Sequence, residues 1–109
     1  MGEVITTPAT TLAEALHAAG CQGPVLIVAD NPAIARHAVA WAGSLAAVGW
    51  QHRVRLSDGP ADDVEADAIA AEGRRFAARA IVAAGGAATQ AAARAAAARA
   101  GIPCLVLAD

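Results

Sequence analysis

The residues best suited to chemistry in this sequence are Gly85-Gly86-Ala87-Ala88-Thr89, which follow an apolar run and open an alanine-rich stretch. Paired glycines let the backbone approach a ligand closely. A helix that starts beside them presents free N–H groups and the positive end of its dipole to a phosphate. Thr89 can add a hydroxyl. The same pair also suits a tight strand-to-helix turn with close packing, and the residues alone do not choose between the two readings. Asp30, Asn31 and Asp58 stand at comparable points after other apolar runs. Their side chains suit ribose hydroxyls or polar substrate groups, and they equally suit helix capping and turn formation.

Other chemistries find little support. Asp30-Asn31-Pro32 follows the first long apolar run where a GxGxxG loop would carry a dinucleotide, and no GxxxxGK[ST] loop is present. His17, His37 and His52 show no metal-ligand spacing and fall on different elements, so no metal is expected to be bound by this chain alone. Neither Ser44 nor Ser57 sits in a GxSxG elbow. Cys21 and Cys104 form no CxxC pair and read as buried, reduced thiols.

These candidates need elements to position them, and the pattern supplies alternating strands and helices. Val25-Leu26-Ile27-Val28 is a continuous apolar run, as a strand covered on both faces requires. Asp30 or Asn31 then caps a helix with Pro32 in its first turn. Along that helix Ile34, Ala38, Trp41, Leu45 and Val48 make one apolar stripe, and Gly49 ends it. Arg53 to Leu56 alternates polar with apolar and reads as a more exposed strand near an edge. The turn Ser57-Asp58-Gly59-Pro60 leads to a helix whose acidic start is Asp62-Asp63 and whose apolar face is Val64, Ala68, Ile69 and Phe76. Ala80 to Ala83 is the next strand, Ala87 to Ala100 the alanine helix closed by Gly101, and Pro103 to Leu107 the last strand. Val4-Ile5 and a helix bearing Leu12 and Leu16 come first. Such alternation with short connections implies a parallel sheet with helices on both faces, a three-layer α/β domain of four to five strands. Ligands on such sheets bind at the carboxyl ends of the strands, where all the candidate residues fall.

Length and composition agree with one domain over residues 1–109. Charged residues make up 17% and apolar residues 57%, which excludes a disordered chain; much of the apolar share is alanine, so a thin, close-packed core is expected. A net charge of −2 and three aromatic residues (Trp41, Trp50 and Phe76) argue against nucleic acid or an anionic membrane as partner. No run approaches the ~20 apolar residues of a membrane span, and residues 1–11 lack the features of a signal peptide, so a cytoplasmic location is expected. An exposed Trp50 would suit an oligomer contact.

Val25 to Asp30, the acidic helix start, Ala80 to Gly86 and the closing Ala100 to Leu107 together resemble the N-terminal nucleotide-binding domain of the dehydroquinate synthase-like superfamily, which includes the iron-containing alcohol dehydrogenases and glycerol dehydrogenase. The resemblance covers almost the whole chain. It implies a Rossmann-like fold, an NAD(P) cofactor with its pyrophosphate on Gly85 and Gly86, and Asp30 at the cofactor edge. The family's third glycine is Ala87 here, whose extra methyl is expected to crowd the pyrophosphate position, its serine is Ala88 and its helix aspartate is Ala91. The family's threonine-rich loop and metal-binding helical domain have no counterpart in these 109 residues. The expectation that follows is a nucleotide- or phosphate-binding module, a homo- or hetero-oligomer, with a partner chain supplying the second domain of a split dehydrogenase or cyclase. Two alternatives stand beside it: a non-catalytic scaffold that retains the fold, and a compact enzyme resembling N5-carboxyaminoimidazole ribonucleotide mutase, whose glycine-rich strand end is similar to Gly85-Gly86-Ala87-Ala88.

Overall fold

Every residue from Val25 to Ala29 is fully buried, because helices cover this strand on both sides. It is β2 in a computed structural model that describes residues 2–6, 12–57 and 59–108. The other strands are β1 (Gly2–Thr6), β3 (His52–Leu56), β4 (Ala80–Ala84) and β5 (Cys104–Ala108). Between them run α1 (Leu12–Ala18), α2 (Asn31–Ala47), α3 (Asp63–Arg75) and α4 (Ala87–Ala100). The sheet order is β1-β5-β4-β2-β3 and every neighbouring pair is parallel. Arg53 to Leu56 does lie on an edge strand, as its alternation predicts. No helix among the described residues is long and apolar enough to cross a membrane.

The two faces of the sheet are filled differently. Leu12 and Leu16 of α1 and Trp41 and Leu45 of α2 pack on Val25, Ile27, Val82 and Leu105. On the other face Ile69 and Ala70 of α3 and four alanines of α4 (Ala92, Ala93, Ala96, Ala97) pack on Leu26, Val28, Ile81 and Val106. The thin core expected from composition is therefore confined to the α3–α4 side. With α1 and α2 on one face and α3 and α4 on the other, this strand order gives all four crossovers the same hand, as a twisted parallel sheet favours.

Two apolar assignments from the sequence change. Val64 is 78% exposed, and the buried face of α3 is Ala66, Ile69, Ala70 and Gly73, set by the Asp62 N-cap whose carboxylate accepts from Glu65 N at 2.9 Å. Val48 caps α2 outside the helical stripe and is half exposed. Trp50 is half-buried against the α1–α2 core, where a Cβ on Gly23 would stand 2.7 Å from the Trp50 Cβ, so it does not form an open patch.

Cys21 and Cys104 are both buried and form no disulfide. Burial pushes the Cys104 thiol up from 9.0 to about 11, against a smaller opposing pull from Arg94. The folded protein thus holds this proton more tightly than the unfolded chain. The resulting stabilisation is complete below pH 9 and is lost as pH rises through about 11. Its size is about 3 kcal/mol. Urea unfolding between pH 8 and 11 is expected to show this decline, and a Cys104→Ala variant to show a flatter one.

Candidate functional site

The chain leaves β2 outward to the edge at β3, then returns across β2 to β4 and β5. The carboxyl ends of β2 and β4 are therefore neighbours at the point where the strand order switches, the usual ligand position in an open parallel sheet. Asp30 ends β2 and Gly85-Gly86 end β4, and the pairing of Ala29 with Ala84 sets them side by side.

Asp30 joins the two ends. One carboxylate oxygen accepts from Ala33 N at 3.1 Å and so caps α2. The other accepts from Gly86 N at 2.9 Å, at the start of α4. Gly85, at φ 144°, passes directly beneath this carboxylate; an added Cβ there would lie 2.5 Å from Asp30 Oδ2. Gly85 is thus required both by its backbone conformation and by the space it leaves.

Gly86 is the N-cap of α4 and has no side chain to close the helix. The N–H groups of Ala87, Ala88 and Thr89 precede the helix's own hydrogen-bond ladder, which begins with Gln90 N donating to Gly86 O at 3.0 Å. Ala87 and Ala88 are exposed. Thr89 is buried, and its hydroxyl donates to Ser57 O at 2.8 Å, tying α4 to the end of β3. The Gln90 amide donates to Gly85 O at 3.0 Å and braces the turn from the other side. Above these groups lies a cleft of about 380 Å³ lined by Asp30, Pro32, Gly59, Gly86, Ala87, Ala88 and Thr89.

A second cleft of about 400 Å³ shares Gly59 and is lined further by Arg55, Leu56, Pro60, Asp62, Val64 and Glu65. One wall is an ionic network. Arg55 donates to Glu72 at 2.7 Å and to Glu65 at 3.5 Å, and the Ser57 hydroxyl donates to Glu65 at 2.9 Å. Hydrogen bonding to Glu72 raises the Arg55 pKa above its already high value, so its charge is permanent. The network anchors the edge strand to α3.

The structure thus brings Asp30, Gly85, Gly86, Ala87 and Thr89 together, with Asn31 exposed at the first residue of α2. Asp58 lies outside the described residues. Pro32, Gly59 and Ala88 line the cleft as well. Ala88 belonged to the glycine-rich stretch, whereas Gly59 could have been found only as part of a turn following a strand. His17, His37 and His52 sit on α1, α2 and β3, and no three His, Cys, Asp or Glu side chains among the described residues group as metal ligands.

No protein-family model and no curated protein matches the sequence. Solved structures do. Maleylacetate reductase from Agrobacterium tumefaciens superposes with a TM-score of 0.75 at 16% identity, over 96% of this chain and 30% of that one. Glycerol dehydrogenase from Schizosaccharomyces pombe gives 0.78 at 17% identity, over 94% and 26%. NADH-dependent butanol dehydrogenase A from Thermotoga maritima gives 0.71 at 17% identity, over 89% and 25%. The chain spans less than a third of the length of each of these proteins. At such identities the likeness is one of fold alone, the Rossmann-like α/β fold that the sequence resemblance implies.

Proposed function

We propose that this chain is a nucleotide-binding module of the NAD(P) type, with the ligand's diphosphate seated on the start of α4. The observation that carries this reading is the uncapped α4 N-terminus, opening from a glycine turn into a cleft at the sheet's switch point. The residues present suit such a ligand. Gly85 and Gly86 place no Cβ against it, the N–H groups of Ala87 and Ala88 precede the helix's hydrogen-bond ladder and are available to phosphate oxygens, and each Asp30 oxygen keeps a lone pair for a ribose hydroxyl. The dependence of the similar butanol dehydrogenase on NADH supports the same class of ligand.

In this reading the module acts in the cytoplasm within a homo- or hetero-oligomer, and a second domain or partner chain supplies the catalytic groups of a dehydrogenase or cyclase. The described lining of the α4 cleft offers one carboxylate and one hydroxyl already committed to a backbone carbonyl, too little for acid–base or nucleophilic chemistry of its own. Titration with NADH and NADPH, followed by backbone amide chemical shifts, tests the proposal. Saturable shifts centred on Gly86, Ala87 and Ala88 are expected. Shifts elsewhere, or none at millimolar ligand, would remove it.

A further inference from the structure

One edge of the sheet lies open at β3. It is the last strand in the order β1-β5-β4-β2-β3, and among the described residues no strand pairs with its far side. Parallel strands bond each neighbour through alternate residues. Gln51 O accepts from Val25 N at 3.0 Å and Ser57 N donates to Ala29 O at 2.9 Å, so Arg53 and Arg55 between them face β2. The N–H and C=O groups of His52, Val54 and Leu56 therefore point outward along the free edge. Edges of this kind are ordinarily guarded by proline, a bulge or a charged side chain. β3 has no proline, and its register with β2 is unbroken. Its two arginines turn away onto the α3 side: Arg55 donates to Glu72 at 2.7 Å, and Arg53 lies 4.9 Å from the centre of the Phe76 ring.

The surroundings of this edge complement themselves when reversed. α3 flanks it, starting acidic with Asp62, Asp63 and Glu65 and ending basic with Arg74 and Arg75. Exposed Arg53 stands at the basic end, beside Phe76. Val48 precedes β3 and Leu56 ends it, both about half exposed and both apolar. A second copy approaching antiparallel sets the acidic start of one α3 towards the basic end of the other. The same approach brings the Val48 end of one edge to the Leu56 end of its mate.

We infer that this edge is occupied by a second copy of the chain, paired antiparallel through β3 about a two-fold axis at Val54. Val54 then faces Val54 of the partner subunit, and His52 faces Leu56 of the partner subunit. Every outward backbone group of β3 finds a partner, and the two sheets join into one. The interface is isologous, so it closes as a dimer and leaves no free β3 edge. The inference rests on the homo-oligomer part of the reading above and is independent of the nucleotide.

Sedimentation velocity from micromolar to millimolar protein is expected to show a monomer–dimer equilibrium, weakened by added salt. Leu56→Pro removes one outward N–H from each copy and leaves the ladder to β2 intact, because Arg55 and Ser57 carry it. Its dimer dissociation constant is expected to rise at least about tenfold, with circular dichroism confirming the fold. Cross-linking under mild oxidation reads the register and decides alone should Leu56→Pro not fold. The double variant His52→Cys/Leu56→Cys is expected to form covalent dimers and either single variant is not, since only positions 52 and 56 face one another. A monomer at millimolar concentration would overturn the inference and the homo-oligomer with it, leaving the edge to a different chain and the nucleotide reading intact. A dimer that Leu56→Pro does not weaken and the cysteine pair does not capture would overturn the β3 interface alone. A dimer with these properties that binds no NADH would remove the nucleotide reading and keep the interface.

Discussion

Gly85→Ala is expected to lower the unfolding free energy by about 2–4 kcal/mol, among the largest single-substitution losses in this molecule. Two independent penalties meet at that position. The backbone sits at φ 144°, which L side chains rarely adopt, and the new methyl would lie 2.5 Å from Asp30 Oδ2. Relief requires the carboxylate to move, which breaks its bonds to Ala33 N and Gly86 N together. Gly86→Ala is the control. Gly86 has φ −74°, and its added Cβ would meet nothing closer than Asp30 Oδ2 at 3.9 Å. It is expected to change stability by less than about 1 kcal/mol. Urea denaturation of the two variants checks the pair, and equal losses would mean that the turn is not held as described. Gly85→Ala therefore reports on folding, and a loss of function in that variant says nothing about a ligand.

Ala87→Pro separates binding from folding. Ala87 is the first residue of α4, a position that accepts proline because its N–H has no intrahelical acceptor. Gly86, at ψ −178°, already has the extended backbone that a following proline requires. Stability is expected to stay within about 1 kcal/mol of the unaltered protein. The substitution deletes one of the donors proposed for the diphosphate and places ring carbons in the cleft, so NADH affinity is expected to fall by at least tenfold, roughly the contribution of one hydrogen bond to a charged group. Thermal unfolding and NADH titration on the same preparation check both halves. Retained affinity in a folded Ala87→Pro protein would move the ligand away from the α4 start.

The legible parts of the sequence were those governed by local rules. The apolar runs at Val25 and Ala80 are strands because both faces are covered, and α4 spans Ala87–Ala100 between a glycine turn and the left-handed Gly101, as read. Val64 misleads because it is apolar, whereas the buried positions of α3 are Ile69 and three small residues, Ala66, Ala70 and Gly73. On the thin face, burial goes to residues that permit close approach, and alanine carries little hydropathy signal to mark them. At the candidate site, the glycine turn was visible in the sequence but its clamp was not. Asp30 and Gly86 are 56 residues apart and meet only because β2 and β4 are neighbours. The Thr89 hydroxyl was likewise readable as a free group until Ser57 was placed behind it.

The carboxylate lying over Gly85 also restricts how this turn can diverge. Positions 30 and 85 are expected to vary together: a smaller residue at 30 would remove the clash with a side chain at 85, though not the penalty of φ 144°, and it would leave the turn without its brace. Relatives that carry this pair should keep both residues or replace both, and intermediates with only one change should be rare. A double-mutant cycle between the two positions should therefore show strong non-additivity, in contrast to pairs drawn from the exposed face of α4.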